Sequence, residues 1–110
     1  MATNRKPKPP TGDTSVPLPA SKAAAELATF MGLQEPDEEQ LERATELAMA
    51  AAAEFIGAPL PDLLPHPLRQ GIMLLASKLV LQGIFEGPIT EADIPLTARY
   101  YFRLAAGAQG

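Results

Sequence analysis

Proline is the residue type that most limits how this chain can fold. Twelve of its 110 residues are proline, and a proline inside a helix removes a backbone donor and clashes with the preceding turn. Aromatic residues, which favour strands, make up only 5% of the chain. The sequence therefore predicts an all-α protein whose short helices are separated by proline and glycine. Its length leaves room for one small domain.

The first twenty residues differ from the rest of the chain. They contain five of the twelve prolines and show no apolar periodicity, so they favour extended, polyproline-like conformations without a core of their own. We expect residues 1–20 to form a disordered or extended arm and residues 21–110 to form the folded domain. Arg5, Lys6 and Lys8 make the arm basic. So short a run favours a solvated terminus over an anchor for nucleic acid or an acidic partner, and no apolar stretch follows it to suggest a secretory signal.

Start and stop signals predict a small four-helix domain after the arm. Ser21 and Asp37 are suitable N-caps, prolines open the last two helices, and glycines follow the first three. Four prolines between residues 58 and 67 predict an extended connector, held to the domain by its leucines. The predicted helices span residues 21–31, 37–56, 67–85 and 96–106.

The second helix is predicted to be amphipathic. Its apolar residues recur at i, i+3 and i+4 as far as Ile56, and its acidic residues fall largely on the other face. Glu38, Glu42 and Glu46 are four residues apart and therefore share one face of the helix. The simplest interpretation is a solvated face. We do not expect a metal site there, because neither a histidine nor a second acidic helix motif accompanies it.

The third helix carries two rows of apolar side chains. One row suits the core of the domain and consists of Leu68, Ile72, Leu75, Ala76, Leu79 and Gly83. The second row needs another partner, because a small domain has one core. Either the fourth helix covers it with Tyr100, Tyr101 and Phe102, or a neighbouring subunit does. We predict a subunit interface formed by Met73, Leu74, Leu81, Ile84 and Phe85. Arg69 and Lys78 argue against a membrane span here.

Residue types that carry catalysis are scarce in this chain. There is no cysteine, and the one histidine, His66, lies between two prolines. No nucleophile elbow, phosphate-binding loop or dinucleotide fingerprint occurs. We therefore expect a protein that is not an enzyme and that binds neither a metal nor a cofactor.

Several short motifs occur in a characteristic order between Leu27 and Ala106. An acidic helix start is followed by an alanine-rich helix end, a proline–leucine connector, a long apolar helix and an isoleucine–proline pair. These motifs are Asp37-Glu-Glu-Gln-Leu41, Ala50-Ala-Ala-Ala-Glu-Phe-Ile-Gly57, Pro59-Leu-Pro61, Pro67-Leu-Arg-Gln70 with Ile72-Met-Leu-Leu75, and Ile94-Pro95. Their order resembles the head–tail connector, or adaptor, family of long-tailed bacteriophages and prophages. Two features depart from that family. The third helix ends in Phe85-Glu86 without further aromatic residues, and the basic arm is not part of the family's pattern.

The resemblance implies a structural protein of the virion neck, which is in the host cytoplasm during assembly. Copies would form a homo-oligomeric ring of roughly twelve subunits that binds the portal protein on one side and a tail or tail-completion protein on the other. DNA would only pass through the lumen, and no membrane would be involved. Glu38, Glu42 and Glu46 would line the channel, where like charge repels DNA. Tyr100, Tyr101, Phe102 and Arg103 would contact the portal.

A small helical nucleic-acid-binding regulator is the alternative, with the second and third helices as a helix-turn-helix. Against it, the connector is long and rich in proline, and the third helix offers few side chains that read bases. Acidic residues also outnumber basic ones by 13 to 9, which gives a net charge of -4.

Overall fold

The computed structural model describes residues 17–109 and confirms the all-α class. Four helices and one two-stranded antiparallel sheet form this part of the chain. The helices are α1 (Ala23–Met31), α2 (Glu38–Ile56), α3 (His66–Gln82) and α4 (Leu96–Gln109), and the strands are β1 (Leu18–Pro19) and β2 (Leu63–Leu64). None of these helices combines the length and the apolar character needed to cross a lipid bilayer.

Helix α2 begins and ends where the sequence predicts. The side chain of Asp37 accepts a hydrogen bond from the backbone nitrogen of Gln40 at 3.2 Å, and two glutamates follow in the first turn. Gly57 ends the helix in the left-handed conformation, with a φ of 83°, which costs glycine no steric strain. These local signals are therefore sufficient to define α2.

The predicted bounds of α1, α3 and α4 need correction, and α4 continues past its predicted end at residue 106 to Gln109. A 3-10 turn over Ala20–Lys22 precedes α1, so Ser21 lies in that turn and Lys22 stands at the N-cap. Helix α3 ends at Gln82 instead of near Phe85, because Gly83 adopts the left-handed conformation with a φ of 70°. Gly83 is consequently exposed at a helix end and does not belong to the core row.

The short sheet attaches the start of the described chain to the connector before α3. Leu18 pairs with Leu64 and Pro19 with Leu63, and the nitrogen of Ala20 donates to the carbonyl of Asp62 at 2.8 Å. Leu18 and Leu64 are both buried. The chain therefore joins the domain at Leu18, two residues before the predicted end of the arm. Residues 1–16 of that arm lie outside the described residues.

Helix α3 is the centre of the core, with α2, α4 and the shorter α1 packed against it. The predicted core row is confirmed apart from Gly83: its remaining members, Leu68, Ile72, Leu75, Ala76 and Leu79, are all fully buried. One charged side chain enters this core. The Arg69 guanidinium is almost fully buried and donates to the Glu26 carboxylate at 2.7 Å, which connects α3 to α1.

Candidate interaction surfaces

The second row of α3 is only partly covered by the chain itself. Leu81 is 78% exposed, whereas Leu74, Ile84 and Phe85 are half-buried and pack against the core. The Lys78 ammonium between Leu74 and Leu81 donates to the carbonyl of Asp93 at 2.7 Å, so the segment before α4 reaches this row at its middle. Leu81 is therefore the one exposed member of this row among the described residues.

Met73 does not belong to this surface. Its side chain is 1% exposed and is part of the core cluster, so it is removed from the predicted subunit interface. Its place on α3 explains the error. Met73 lies between the two rows, and the neighbouring helices cover it together with the core row.

Helix α4 has apolar side chains on two opposite faces. Ala98, Phe102 and Ala105 face the core and are buried. On the opposite face, Leu96, Tyr100 and Leu104 are 74%, 56% and 44% exposed. Their spacing of four residues aligns these three side chains along the helix, and we call them the outer stripe. A surface helix normally places polar residues on such a face. Exposed apolar side chains in a contiguous row are typical of interaction surfaces.

The predicted portal-contact residues lie in different environments on α4. Phe102 is fully buried, at 5.9 Å between ring centroids from Phe55, so it is removed from that set. Tyr101 is half-buried and makes edge-on ring contacts with Tyr100 and His66. The Arg103 guanidinium is exposed and lies 5.7 Å from the centre of the Phe55 ring.

The signal for the outer stripe is present in the sequence, but the predicted contact set instead groups the three consecutive aromatic residues of this helix. Consecutive helical residues are about 100° apart and cannot share a face. A spacing of four from Leu96 would have separated Tyr100 from Phe102.

The acidic residues of α2 border a groove between α2 and the start of α1. Glu38, Glu42 and Glu46 are all exposed. The groove has a volume of about 370 Å³, and its sides are formed by Ser21, Ala24, Ala25, Ala28, Pro36, Glu38, Leu41 and Glu42. We call it the α1–α2 groove. A second depression of about 330 Å³ continues it past Glu46. Its small alanine side chains leave room for another helix to approach closely.

Another depression lies beside Arg103, between α2 and the segment that precedes α4. Its volume is about 690 Å³, and its lining includes Phe55, Ile89, Ile94, Glu54 and Glu91. Among residues 17–109, no group of three or more metal-ligating side chains lies close enough together to hold a metal ion.

A capping box precedes α4 and perturbs one titratable group. The Asp93 carboxylate accepts hydrogen bonds from the backbone nitrogen of Thr90 at 3.0 Å and from its hydroxyl at 2.9 Å. These bonds lower the pKa of Asp93, the backbone bond most strongly, and Lys78 adds a smaller effect in the same direction. Asp93 therefore helps to hold the 3-10 turn Glu91–Asp93, which precedes α4.

His66 is placed differently from the sequence prediction. It opens α3 and is half-buried, with its ring centroid 6.0 Å from that of Tyr101, whereas we expected an exposed loop residue. The edge-on contact with Tyr101 helps to hold the His66 ring against α4.

Comparisons of this chain with protein-family models, with curated proteins and with solved structures gave no match.

Proposed function

We propose that this protein is a non-enzymatic structural subunit of a bacteriophage or prophage neck, where copies form a head–tail connector ring between portal and tail. The observation that carries the proposal is the outer stripe. It adds an unburied apolar face to a chain whose order of motifs resembles the connector family.

Leu81 and the outer stripe are apolar side chains that the described part of the chain leaves exposed. Burying one large apolar side chain stabilises a complex by about 1.5 to 3 kcal/mol before ordering costs. The three leucines and Tyr100 therefore offer several kcal/mol that the isolated chain does not use. A subunit that contacts neighbours on two sides would recover this free energy, and a ring is the closed form of such an assembly.

The acidic face of α2 suits the wall of a channel. Glu38, Glu42 and Glu46 form no ion pair with any other described residue, so their charge is uncompensated at short range. Repeated around a ring, such a face would repel the phosphates of passing DNA. Tyr100, Tyr101 and Arg103 remain our candidates for the portal contact, because they expose aromatic and cationic groups near the end of the chain.

The regulator alternative fits the structure less well. A helix-turn-helix joins its helices by a turn of about three or four residues, whereas residues 57–65 separate α2 from α3 and include β2. The helix that would read DNA is α3, which is the most buried helix of the domain. No observation favours this alternative over a structural subunit.

Electron microscopy with the portal protein of the same genome tests the proposal. The purified chain is mixed with portal rings, and images should show extra density on one end of each ring. A variant with Leu96→Asp and Tyr100→Glu should add no such density, while Leu63→Asp, an exposed leucine elsewhere on the surface, should behave as the wild type. If the wild-type chain leaves portal rings unchanged at every concentration, the protein is not a connector.

A further inference from the structure

We infer that the outer stripe of α4 binds in the α1–α2 groove of a second copy of the chain. The inference rests on the proposed function only in requiring that copies assemble. Where this contact forms, Tyr100 and Arg103 lie between copies, which leaves Tyr101 as the portal candidate on α4. Glu38 and Glu42 lie in the same contact, which leaves Glu46 for the channel wall.

The stripe cannot enter the groove of its own chain. Helix α4 is held in place by Phe102, which is fully buried against Gly71 of α3, and the stripe lies on the opposite face. Within the described residues, no element covers these apolar side chains, and a contiguous exposed row of this kind is typical of a surface that another molecule covers. The groove is likewise formed by residues of α1 and α2 that the rest of the described chain leaves accessible.

The two surfaces match in length and shape. From Leu96 to Leu104 the stripe rises about 12 Å, at 1.5 Å per residue. The groove follows the 3-10 turn and α1 from Ser21 to Ala28, which is about 11 Å at a rise of about 2.0 Å per residue in the turn and 1.5 Å per residue in the helix. The stripe is a ridge of large side chains, while the α1 side of the groove presents the small side chains of Ala24, Ala25 and Ala28. A ridge on one helix packing between two helices of another molecule is a common form of helix recognition.

The charges beside the two surfaces are opposite. Arg103 lies next to Tyr100 around the helix and forms no ion pair within the part of the chain that the structure describes. The groove is bordered by Glu38 and Glu42. Pairing stripe with stripe would instead bring the arginines of two copies together, and pairing groove with groove would bring glutamates together. Charge therefore favours a head-to-tail contact, in which each copy uses both surfaces.

The contact area is small, so association must be measured over a range that reaches high protein concentrations. A stable interface buries about 800 Å² on each partner, and one helix face covers less than that. We therefore expect association that depends on concentration in the micromolar to millimolar range and becomes stable when a ring closes. Sedimentation equilibrium from about 10 µM to 1 mM covers this range.

Two variants, each lacking one surface, test the head-to-tail arrangement. Leu96→Asp with Tyr100→Glu disables the stripe, and Ala25→Arg fills the groove from an exposed helical position where arginine is tolerated. Each variant alone should be a monomer at every concentration. Their equimolar mixture should form a heterodimer and nothing larger, because only one functional stripe and one functional groove remain. Circular dichroism establishes that both variants are folded, and Leu63→Asp serves as the surface control.

Charge exchange provides a second test of the same contact. Glu42→Arg or Arg103→Glu alone should weaken association about fivefold, and the two changes in one chain should restore much of it. The inference is overturned if the stripe variant is monomeric but the Ala25→Arg variant still associates. It is also overturned if the wild-type chain is monomeric up to 1 mM. Either result leaves the portal-binding test of the wild-type chain independent. A heterodimer of the two variants, together with a wild-type chain that does not bind portal rings, would sustain the inference and remove the proposed function.

Discussion

At Gly71, helix α3 lies close to Phe102 and Ala98 of α4. A Cβ atom at this position would lie 2.5 and 2.8 Å from two ring carbons of Phe102 and 3.3 Å from the carbonyl oxygen of Ala98. The Phe102 ring is fully buried and cannot move aside freely. Glycine is required here for the packing of two helices, and its cost in helix propensity, about 1 kcal/mol relative to alanine, is outweighed by that contact.

We predict that Gly71→Ala destabilises the domain by about 1 to 3 kcal/mol, because overpacking exceeds the gain in helix propensity. Urea unfolding followed by circular dichroism measures the change. Gly107→Ala is the matched control: that glycine is also helical, nothing lies within 4 Å of its added Cβ, and the change should be neutral or stabilising. In a Phe102→Leu background the cost of Gly71→Ala should shrink. An equal cost in both backgrounds contradicts the proposed clash.

Glu26 has a comparable role at the contact between α1 and α3. Its carboxylate accepts from the nearly buried Arg69 guanidinium, and removing it leaves a desolvated positive charge with one hydrogen bond fewer. We predict that Glu26→Ala lowers the free energy of unfolding by about 1 to 3 kcal/mol. Glu46→Ala, at an exposed position, should change it by less than about 0.5 kcal/mol. Equal unfolding midpoints for the two variants would show that the ion pair does not contribute.

Individual elements differ in how far the sequence alone predicts them. Helix α2 has its own N-cap, acidic first turn and terminal glycine, so its bounds follow from local residues. The start of α1 does not, because Ala20 is drawn into a hydrogen bond with Asp62 that is distant in sequence. The β1–β2 pairing is equally non-local. The end of α3 had two candidate glycines, Gly83 and Gly87, and only the structure shows that the chain uses the first.

The candidate surfaces also differ in how far the sequence alone predicts them. An apolar face beyond the core was predictable from composition and periodicity, but its location was not. The half-buried side chains of Leu74 and Phe85 depend on where the segment before α4 runs, which no local pattern encodes. The outer stripe, in contrast, follows from a spacing of four residues on one helix.

The capping box at the start of α4 predicts a pH dependence. Because the pKa of Asp93 is lowered in the folded state, its ionised form contributes stability above the pKa of the unfolded chain. That contribution is lost as the pH falls through the folded pKa.

We predict that carbon-detected NMR titration finds Asp93 ionising below the usual aspartate range. Thr90→Val should move its pKa only part of the way back, because the stronger backbone bond remains. Glu91→Gln, a neighbouring acid outside the hydrogen-bond pair, should leave the Asp93 titration in place; a full return in Thr90→Val contradicts the assignment.

At the scale of the whole molecule, the central position of α3 determines which surfaces are free. It is covered by the three other helices, so the domain satisfies its core with the inner faces of α2 and α4. What remains outside is an acidic helix face on one element and an apolar face on another. A chain with separate surfaces of different chemistry is suited to repeated head-to-tail contacts and poorly suited to binding DNA, since the phosphates would meet a net negative domain.

This difference makes DNA binding the most general test of the molecule's role. We predict that the wild-type chain does not bind duplex DNA at about 150 mM salt, because its net charge of -4 opposes phosphate contacts. Replacing Glu38, Glu42 and Glu46 by lysine adds two charge units at each position and brings the net charge to about +2. That variant should acquire weak, non-specific binding that falls steeply as salt rises, by up to about 0.9 in logarithmic slope for each phosphate neutralised. Fluorescence anisotropy with a labelled duplex measures both the affinity and its salt dependence.

The matching glutamine variant removes the three negative charges without adding positive ones and should gain much less affinity. Tight binding by the wild-type chain, with a steep salt dependence of its own, would instead favour the regulator over the connector, because a protein that lines a DNA channel must release the strand it surrounds.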